Sequence, residues 1–375
     1  MANLLDSIQP VVLMGPGPSC VFPEVYQALA KPTIGHLDPF FIKIMDGVKD
    51  HLKVVMGTEN RLTMPMSGTG SAGMETSFVN IVEKGDRVLV LKNGVFGMRM
   101  EDVAGRLGAD VTVLEFEWGT PVIVDKVAAH LKDNSYDLVA VVHAETSTGV
   151  ANPVQEIGDL VSKAGALYLV DCVTSLGGMP VEIDKWKADI VYSGTQKCLS
   201  CPPGLAPISL SAKAEERIKA RKTKVPNWYL DLTMIMNYWE GNPRAYHHTA
   251  PINMVYALYA ALDCVVQEGL PAVYKRHAEM HKKLVAGLAA MGLSMYVEEK
   301  YRLPMLNAVT IPASVTNEAA IRARLLNEFK IEIGSGLGPL AGKIWRIGLM
   351  GHTARPDNVD NLLNALKTCM KTIAN

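Results

Sequence analysis

Polar residues that could do carbonyl–amine chemistry stand where continuous apolar runs end. Asp171 follows the run 166–170, and Lys197 closes the turn Ser193-Gly194-Thr195-Gln196-Lys197 after the run 190–192. His143-Ala144-Glu145-Thr146 follows the run 138–142. In open sheets of parallel strands, ligands bind beyond the carboxyl ends of the strands. An acid, a hydroxyl and a lysine on one such edge are therefore candidate site residues. A lysine whose pKa is lowered by burial and by neighbouring positive charge is a nucleophile toward carbonyl carbon and forms a Schiff base. The lysines of Lys185-Trp186-Lys187, by contrast, read as solvated. A free carboxylate after five apolar residues is costly, so Asp171 calls for a cationic partner, with a helix cap or structural ion pair as the plainer alternative. Arg346 interrupts the apolar strand Ile344-Trp345-Arg346-Ile347-Gly348. An arginine there suits two-point binding of a carboxylate. The alternative is an edge-strand arginine whose head reaches solvent.

A glycine-rich segment, Ser67-Gly68-Thr69-Gly70-Ser71-Ala72-Gly73, precedes residues 74–82, which read as a helix. Backbone N–H groups at a helix N-terminus form an anion site, and the hydroxyls of Ser67, Thr69 and Ser71 add donors. Gly68, Gly70 and Gly73 also spell G-x-G-x-x-G, the spacing of a dinucleotide site. That fold needs an acid at the end of the next strand to hold the ribose. Here the strand ends Leu91-Lys92-Asn93-Gly94, without one. The phosphate reading survives, and an NAD-dependent oxidoreductase loses its support. Pyridoxal phosphate chemistry needs a lysine, a carboxylate that keeps the pyridine nitrogen protonated, a plate against the ring and a cation for the substrate carboxylate. Lys197, Asp171, Phe96 in Asn93-Gly94-Val95-Phe96-Gly97, and Arg346 answer those four needs.

These residues must be positioned by the elements around them. The runs 87–91, 111–114, 138–142, 166–170 and 190–192 are continuously apolar, as strands of a parallel sheet covered on both faces are. Segments such as 98–107 and 154–163 have helical length and spacing, and the alternation predicts an open α/β sheet. Residues 204–210 follow the last parallel strand closely enough to run antiparallel to it. After about residue 250 the pattern changes to long helices at 254–268 and 274–291, then strands at 307–311, 331–333 and 344–347. The expected division is an N-terminal segment, 1–15, a large domain, 16–265, and a smaller α+β domain, 266–375. A chain of 375 residues exceeds what one hydrophobic core usually supports.

Composition narrows the class of function. Thirty-seven Lys and Arg against 38 Asp and Glu leave a formal net charge of −1, with no surplus for nucleic acid or an anionic membrane. No Lys or Arg precedes Lys31, which reads against a secretory signal with a basic start. Pro10, Pro16, Pro18 and Pro23 forbid a membrane helix in the early uncharged stretch. The ending Thr372-Ile373-Ala374-Asn375 is not a peroxisomal address. A cytoplasmic setting is expected. Six scattered cysteines form no metal spacing, and Cys198-x-x-Cys201, followed by two prolines and without a second pair, carries no metal expectation.

The chain resembles the class V aminotransferases, nearest the alanine–glyoxylate and serine–pyruvate or serine–glyoxylate group. The motifs are Gly15-Pro16-Gly17-Pro18, Ser67-Gly68-Thr69-Gly70, Asn93-Gly94-Val95-Phe96-Gly97 and Glu145-Thr146-Ser147-Thr148-Gly149. Further on stand Val170-Asp171-Cys172-Val173, continuing through Gly178, then Ser193-Gly194-Thr195-Gln196-Lys197, Tyr246-His247-His248-Thr249 and Arg346-Ile347-Gly348-Leu349-Met350-Gly351. They occur in family order over nearly the whole chain. The resemblance implies a fold-type I architecture, with a mostly parallel, seven-stranded-type open sheet flanked by helices. It implies that Lys197 carries pyridoxal 5′-phosphate and shuttles a proton, that Asp171 pairs with the pyridine nitrogen, and that Phe96 and Val173 sandwich the ring. It places the phosphate on Gly70, Ser71 and Gln196, Thr146 near the ring hydroxyl, and the substrate carboxylate on Arg346; Ser67, Gly68 and Thr69 of the glycine-rich turn are cofactor-binding candidates beside them. Tyr246 and Thr249 resemble residues that reach a partner's phosphate, which implies a homodimer with shared sites.

Two departures blur the substrate rather than the class. Phe96 stands where some members have tryptophan, and Met98 where a polar residue is often found. No second arginine beside Arg346 suggests a dicarboxylic donor, which favours alanine or serine as donor and glyoxylate or pyruvate as acceptor, in a ping-pong reaction. The alternatives are aspartate or another donor, or a lyase of the same fold. A desulfurase would place histidine before the lysine, where Gln196 stands, and a reactive cysteine on a mobile loop. A non-catalytic relative would have lost Lys197, Asp171 or Arg346, and all three are present.

Overall fold

The computed structural model describes residues 3–373; the ends of the N-terminal segment and of the C-terminal tetrapeptide lie outside the described residues. Seven strands form one sheet in the order Leu62–Ser67, Leu205–Leu210, Ile190–Tyr192, Leu167–Asp171, Leu138–Val142, Arg87–Lys92 and Asp110–Glu115. Leu205–Leu210 is antiparallel to both neighbours, and the remaining pairs are parallel. The architecture is α/β with a mostly parallel sheet, and residues 138–142 and 167–171 are buried throughout.

Leu62–Ser67 is the strand that sequence patterning does not find, because Pro65 sits in its middle. Proline cannot donate to a ladder and is confined to edge strands. This one is at the sheet edge, with Pro65 opposite Pro207. Two helices start earlier than their apolar spacing suggests, at Gly70 rather than 74 and at Val95 rather than 98. Glycines that look like loop supply their first turns.

A second buried cluster lies on another sheet. Its three antiparallel strands run in the order Leu306–Thr310, Ile344–Gly348, Gly334–Ser335. Trp345, Ile347, Leu284 and Leu362 are in its core, joined by Met14 from the start of the chain. The strand expected at 331–333 is divided. Ile331–Glu332 pairs in parallel with Val12–Leu13, and Gly334–Ser335 pairs with Ile344–Gly348. Among the described residues no helix is long and apolar enough to cross a membrane.

One tight contact fixes helix Val154–Ala164 against the turn that leads into Ile190–Tyr192. A Cβ on Gly158 would collide with the backbone carbonyl of Trp186, which has no flexible end to move aside. Gly158→Ala is therefore expected to destabilise by about 1–3 kcal/mol through overpacking, read as a lowered denaturant midpoint. A midpoint equal to the parent's would mean that this helix slides freely on the turn.

Candidate active site

The parallel strands bring the predicted residues to one edge because their carboxyl ends are in register. Val142 lies opposite Asp171, and Asp171 opposite Tyr192. Asp171 is 3% exposed. Its Oδ1 accepts from the Val173 N–H at 2.7 Å, and its Oδ2 accepts from the Tyr192 hydroxyl at 2.7 Å. Burial pushes its carboxyl up to about 6, against the pull of those two donors and of Lys197 and Arg99. It belongs to no ion pair among the described residues, so the structural-pair alternative does not hold.

Lys197 is 9% exposed, and burial lowers its ammonium to about 8, with Arg346 and Arg99 acting in the same direction. Its Nζ donates to the Pro16 carbonyl. The Gly15-Pro16-Gly17-Pro18 segment thus forms a roof over the lysine. Gly17, at φ 110°, has no room for a side chain because the Lys197 methylenes and amine occupy it. Lys185 and Lys187 are exposed and paired with Glu182 and Asp159.

Arg346 is 6% exposed and lies on the middle strand of its sheet, so it is no snorkelling edge residue. Its Nε donates to the Ser335 carbonyl at 2.7 Å and its Nη1 to the Thr146 carbonyl at 3.3 Å. Burial lowers its pKa to about 10. No carboxylate pairs with it among the described residues, and its other N–H groups remain to bind an anion.

A cavity of about 170 Å³ is lined by Thr69, Gly70, Ser71, Met74, Phe96, Arg99, Asp171, Val173, Tyr192, Gln196 and Lys197. A larger groove over Phe40, Ile44, Tyr256 and Tyr259 is mostly apolar, and the lysines at its wall, Lys31 and Lys43, face no carboxylate among its lining residues. Helix Gly70–Ile81 begins at the cavity, and the N–H groups of Gly70 and Ser71 have no intrahelical acceptor. Not every expected residue is there. Ser67 and Gly68 line a neighbouring opening with Tyr229 and Thr249, and the Ser67 hydroxyl is 2.8 Å from His248 Nε2. Tyr246 is 57% exposed with its hydroxyl 3.4 Å from that of Thr249, and neither lines the cavity of its own chain. Thr146 is buried behind the cavity wall, and Met98 faces solvent at 49% exposure.

Three residues here carry no role in the sequence reading. Tyr192 is hidden inside an apolar run. Arg99 lies one helical turn beyond Phe96, which a helical spacing from Val95 would have exposed. Glu145 is fully buried and accepts from the Ser147 N–H, the Ser147 hydroxyl and the Phe96 N–H, at 3.0, 2.6 and 3.2 Å. The Ser147 hydroxyl also takes the Val95 N–H at 3.0 Å, so the two residues cap the helix that carries Phe96. Burial pushes the Glu145 carboxyl up to about 7.

Known proteins are similar to this chain in sequence and in shape. The family described as Aminotransferase class-V matches residues 21–359. The (S)-ureidoglycine–glyoxylate transaminase of Bacillus subtilis (strain 168) is 37% identical, over 96% of this chain and 90% of the relative. The alanine–glyoxylate aminotransferase of Oryctolagus cuniculus is 38% identical, over 97% of this chain and 93% of the relative. The crystal structure of an alanine–glyoxylate aminotransferase from Nostoc sp. superposes with a TM-score of 0.96 at 46% identity, covering 99% of this chain and 97% of the other. With a buried lysine and aspartate on one sheet edge and matches that run nearly end to end, the chain belongs to the class V aminotransferases and is an aminotransferase.

Proposed function

We propose that this enzyme transfers the amino group of a small neutral amino acid, alanine or serine, to glyoxylate or pyruvate, using Lys197 and Asp171 at the cavity between Gly70 and Phe96. The observation that carries the reading is Asp171, buried, held by Tyr192 and Val173, and lining the same cavity as a lysine of lowered pKa. Glyoxylate stands in the names of both curated relatives, with alanine as the donor named for one and ureidoglycine for the other.

The cofactor of this family is pyridoxal 5′-phosphate, and the residues fit it. Gln196 has a buried amide oxygen without a hydrogen-bond partner, and an amide turned about its axis presents N–H donors instead. With the free N–H groups of Gly70 and Ser71 and the hydroxyls of Thr69 and Ser71, it would hold the phosphate. Ser67 and Gly68 would support that turn from the neighbouring opening. Phe96 and Val173 would flank the ring, with Thr146 behind it. When bound, the cofactor supplies a carbonyl carbon for the amine and a pyridinium ring that takes up electrons from the substrate.

The side chains divide the remaining work. Lys197, shielded from water and with its ammonium lowered to about 8, gives up its proton more easily and would serve as nucleophile and then as base at the substrate α-carbon. Asp171 would keep a proton on the ring nitrogen of the bound cofactor, because a desolvated carboxylate favours any cation set against it. Arg346, fixed by two carbonyls, has donors left for the α-carboxylate and so orients the α-hydrogen toward the lysine. We assign the lysine, aspartate and cavity to a large domain, 16–265, and Arg346 to a small one, 266–375. Tyr246 and Thr249, away from their own cavity, would reach that of a second copy in a homodimer.

Lys197→Ala is expected to keep its far-ultraviolet circular dichroism and to lose half-transamination of alanine; an equally active variant contradicts the assignment. Asp171→Asn is expected to bind cofactor yet lower kcat by on the order of 10²–10³, the usual loss when a preorganised electrostatic partner is removed. Stopped-flow turnover at the parent's rate would mean that Asp171 does not govern the ring nitrogen.

A further inference from the structure

Arg99 lines the cavity with Thr69, Gly70, Ser71 and Gln196. Its guanidinium carbon is 4.8 Å from the centroid of the Phe96 ring, one helical turn away. Stacking of this kind orients the guanidinium plane while leaving its N–H groups free. Among the described residues no acid forms an ion pair with it. On the same helix Glu101 pairs with Lys92, and Asp102 with Arg106. Asp171, also at the cavity, already accepts from Tyr192 and Val173. Arg99 still acts on both Asp171 and Lys197 through its charge, which places it on the cavity side of its helix.

The charges around a bound phosphate do not balance without it. A phosphate monoester carries about −1.5 to −2 near neutral pH. The turn at Thr69–Ser71 offers only neutral hydroxyls and N–H groups, and a helix N-terminus adds about half a positive charge. Lys197 would be engaged at the cofactor's carbonyl carbon, and Arg346 is held by the Ser335 and Thr146 carbonyls. We infer that Arg99 is the counter-charge of the cofactor's phosphate and the residue that makes the apo-enzyme prefer phosphorylated over unphosphorylated pyridoxal. The inference rests on the pyridoxal phosphate reading above. Because Arg99 is solvent-exposed, its attraction for the phosphate is screened by salt.

The test uses apo-enzyme of the parent, Arg99→Gln and Arg99→Lys, titrated separately with pyridoxal 5′-phosphate and pyridoxal. Arg99→Gln is expected to raise the Kd for pyridoxal 5′-phosphate about tenfold or more, as loss of a charged hydrogen bond does. The Kd for pyridoxal stays at the parent's value, Arg99→Lys recovers part of the loss, and inorganic phosphate competes correspondingly less well. The parent's Kd rises more steeply with salt than the glutamine variant's. Equal weakening toward both ligands would overturn the inference and make Arg99 a prop for Phe96. Unchanged cofactor affinity with a raised KM for aspartate alone would overturn it in favour of a substrate cation. A parent protein that takes up no pyridoxal 5′-phosphate would remove the underlying reading itself.

Discussion

Asp171 has to remain ionised where water is almost excluded, and much of the sheet edge answers to that demand. An unpaired buried carboxylate is strongly destabilising unless donors and a cation meet it. Tyr192 and the Val173 N–H supply two donors. Lys197 and Arg99 supply charge from across the cavity, while burial still holds the carboxyl near 6. Glu145, buried close enough for the two acids to oppose each other's ionisation, sharpens the same tension. An edge with two buried acids and cations at 99, 197 and 346 is pre-set to accept a ligand that is cationic at one end and anionic at the other.

The same economy explains the structural glycines and caps. Lys197 is turned inward because Pro16 and Gly17 close over it, and only a residue without a side chain leaves space for its methylenes. Phe96 stands at the cavity because Glu145 and Ser147, from the loop after the neighbouring strand, cap the helix that carries it. Lys197 and Phe96 are thus held by partners distant in sequence.

What could be read from sequence follows from what each signal depends on. Asp171 and Lys197 were legible because continuous apolar runs mark parallel strands, and the carboxyl ends of those strands mark the site. Arg346 was legible as a charge inside an apolar strand, though its central place needed the pairing on both sides. Tyr192 was not, since a tyrosine inside an apolar run reads as core until its hydroxyl is seen on Asp171. Arg99 is hidden in the sequence because apolar spacing starts the helix at 98, three residues after its observed start, which conceals that positions 96 and 99 share a face. The Gly-rich turn looks like one unit in the sequence, yet the helix begins at Gly70, and Ser67 and Gly68 line a separate opening. Motif order identified the family; spacing alone could not divide the turn.

The central claim is that Lys197 and Asp171 form a pyridoxal phosphate site that accepts amino groups from small neutral donors. The most direct measurement is the visible absorbance spectrum of the purified protein, before and after alanine, serine or aspartate is added singly. The account predicts a lysine-bound cofactor band that collapses to the pyridoxamine phosphate band with alanine or serine. Collapse with aspartate alone would contradict the donor assignment, and no band even after incubation with pyridoxal phosphate would contradict the site.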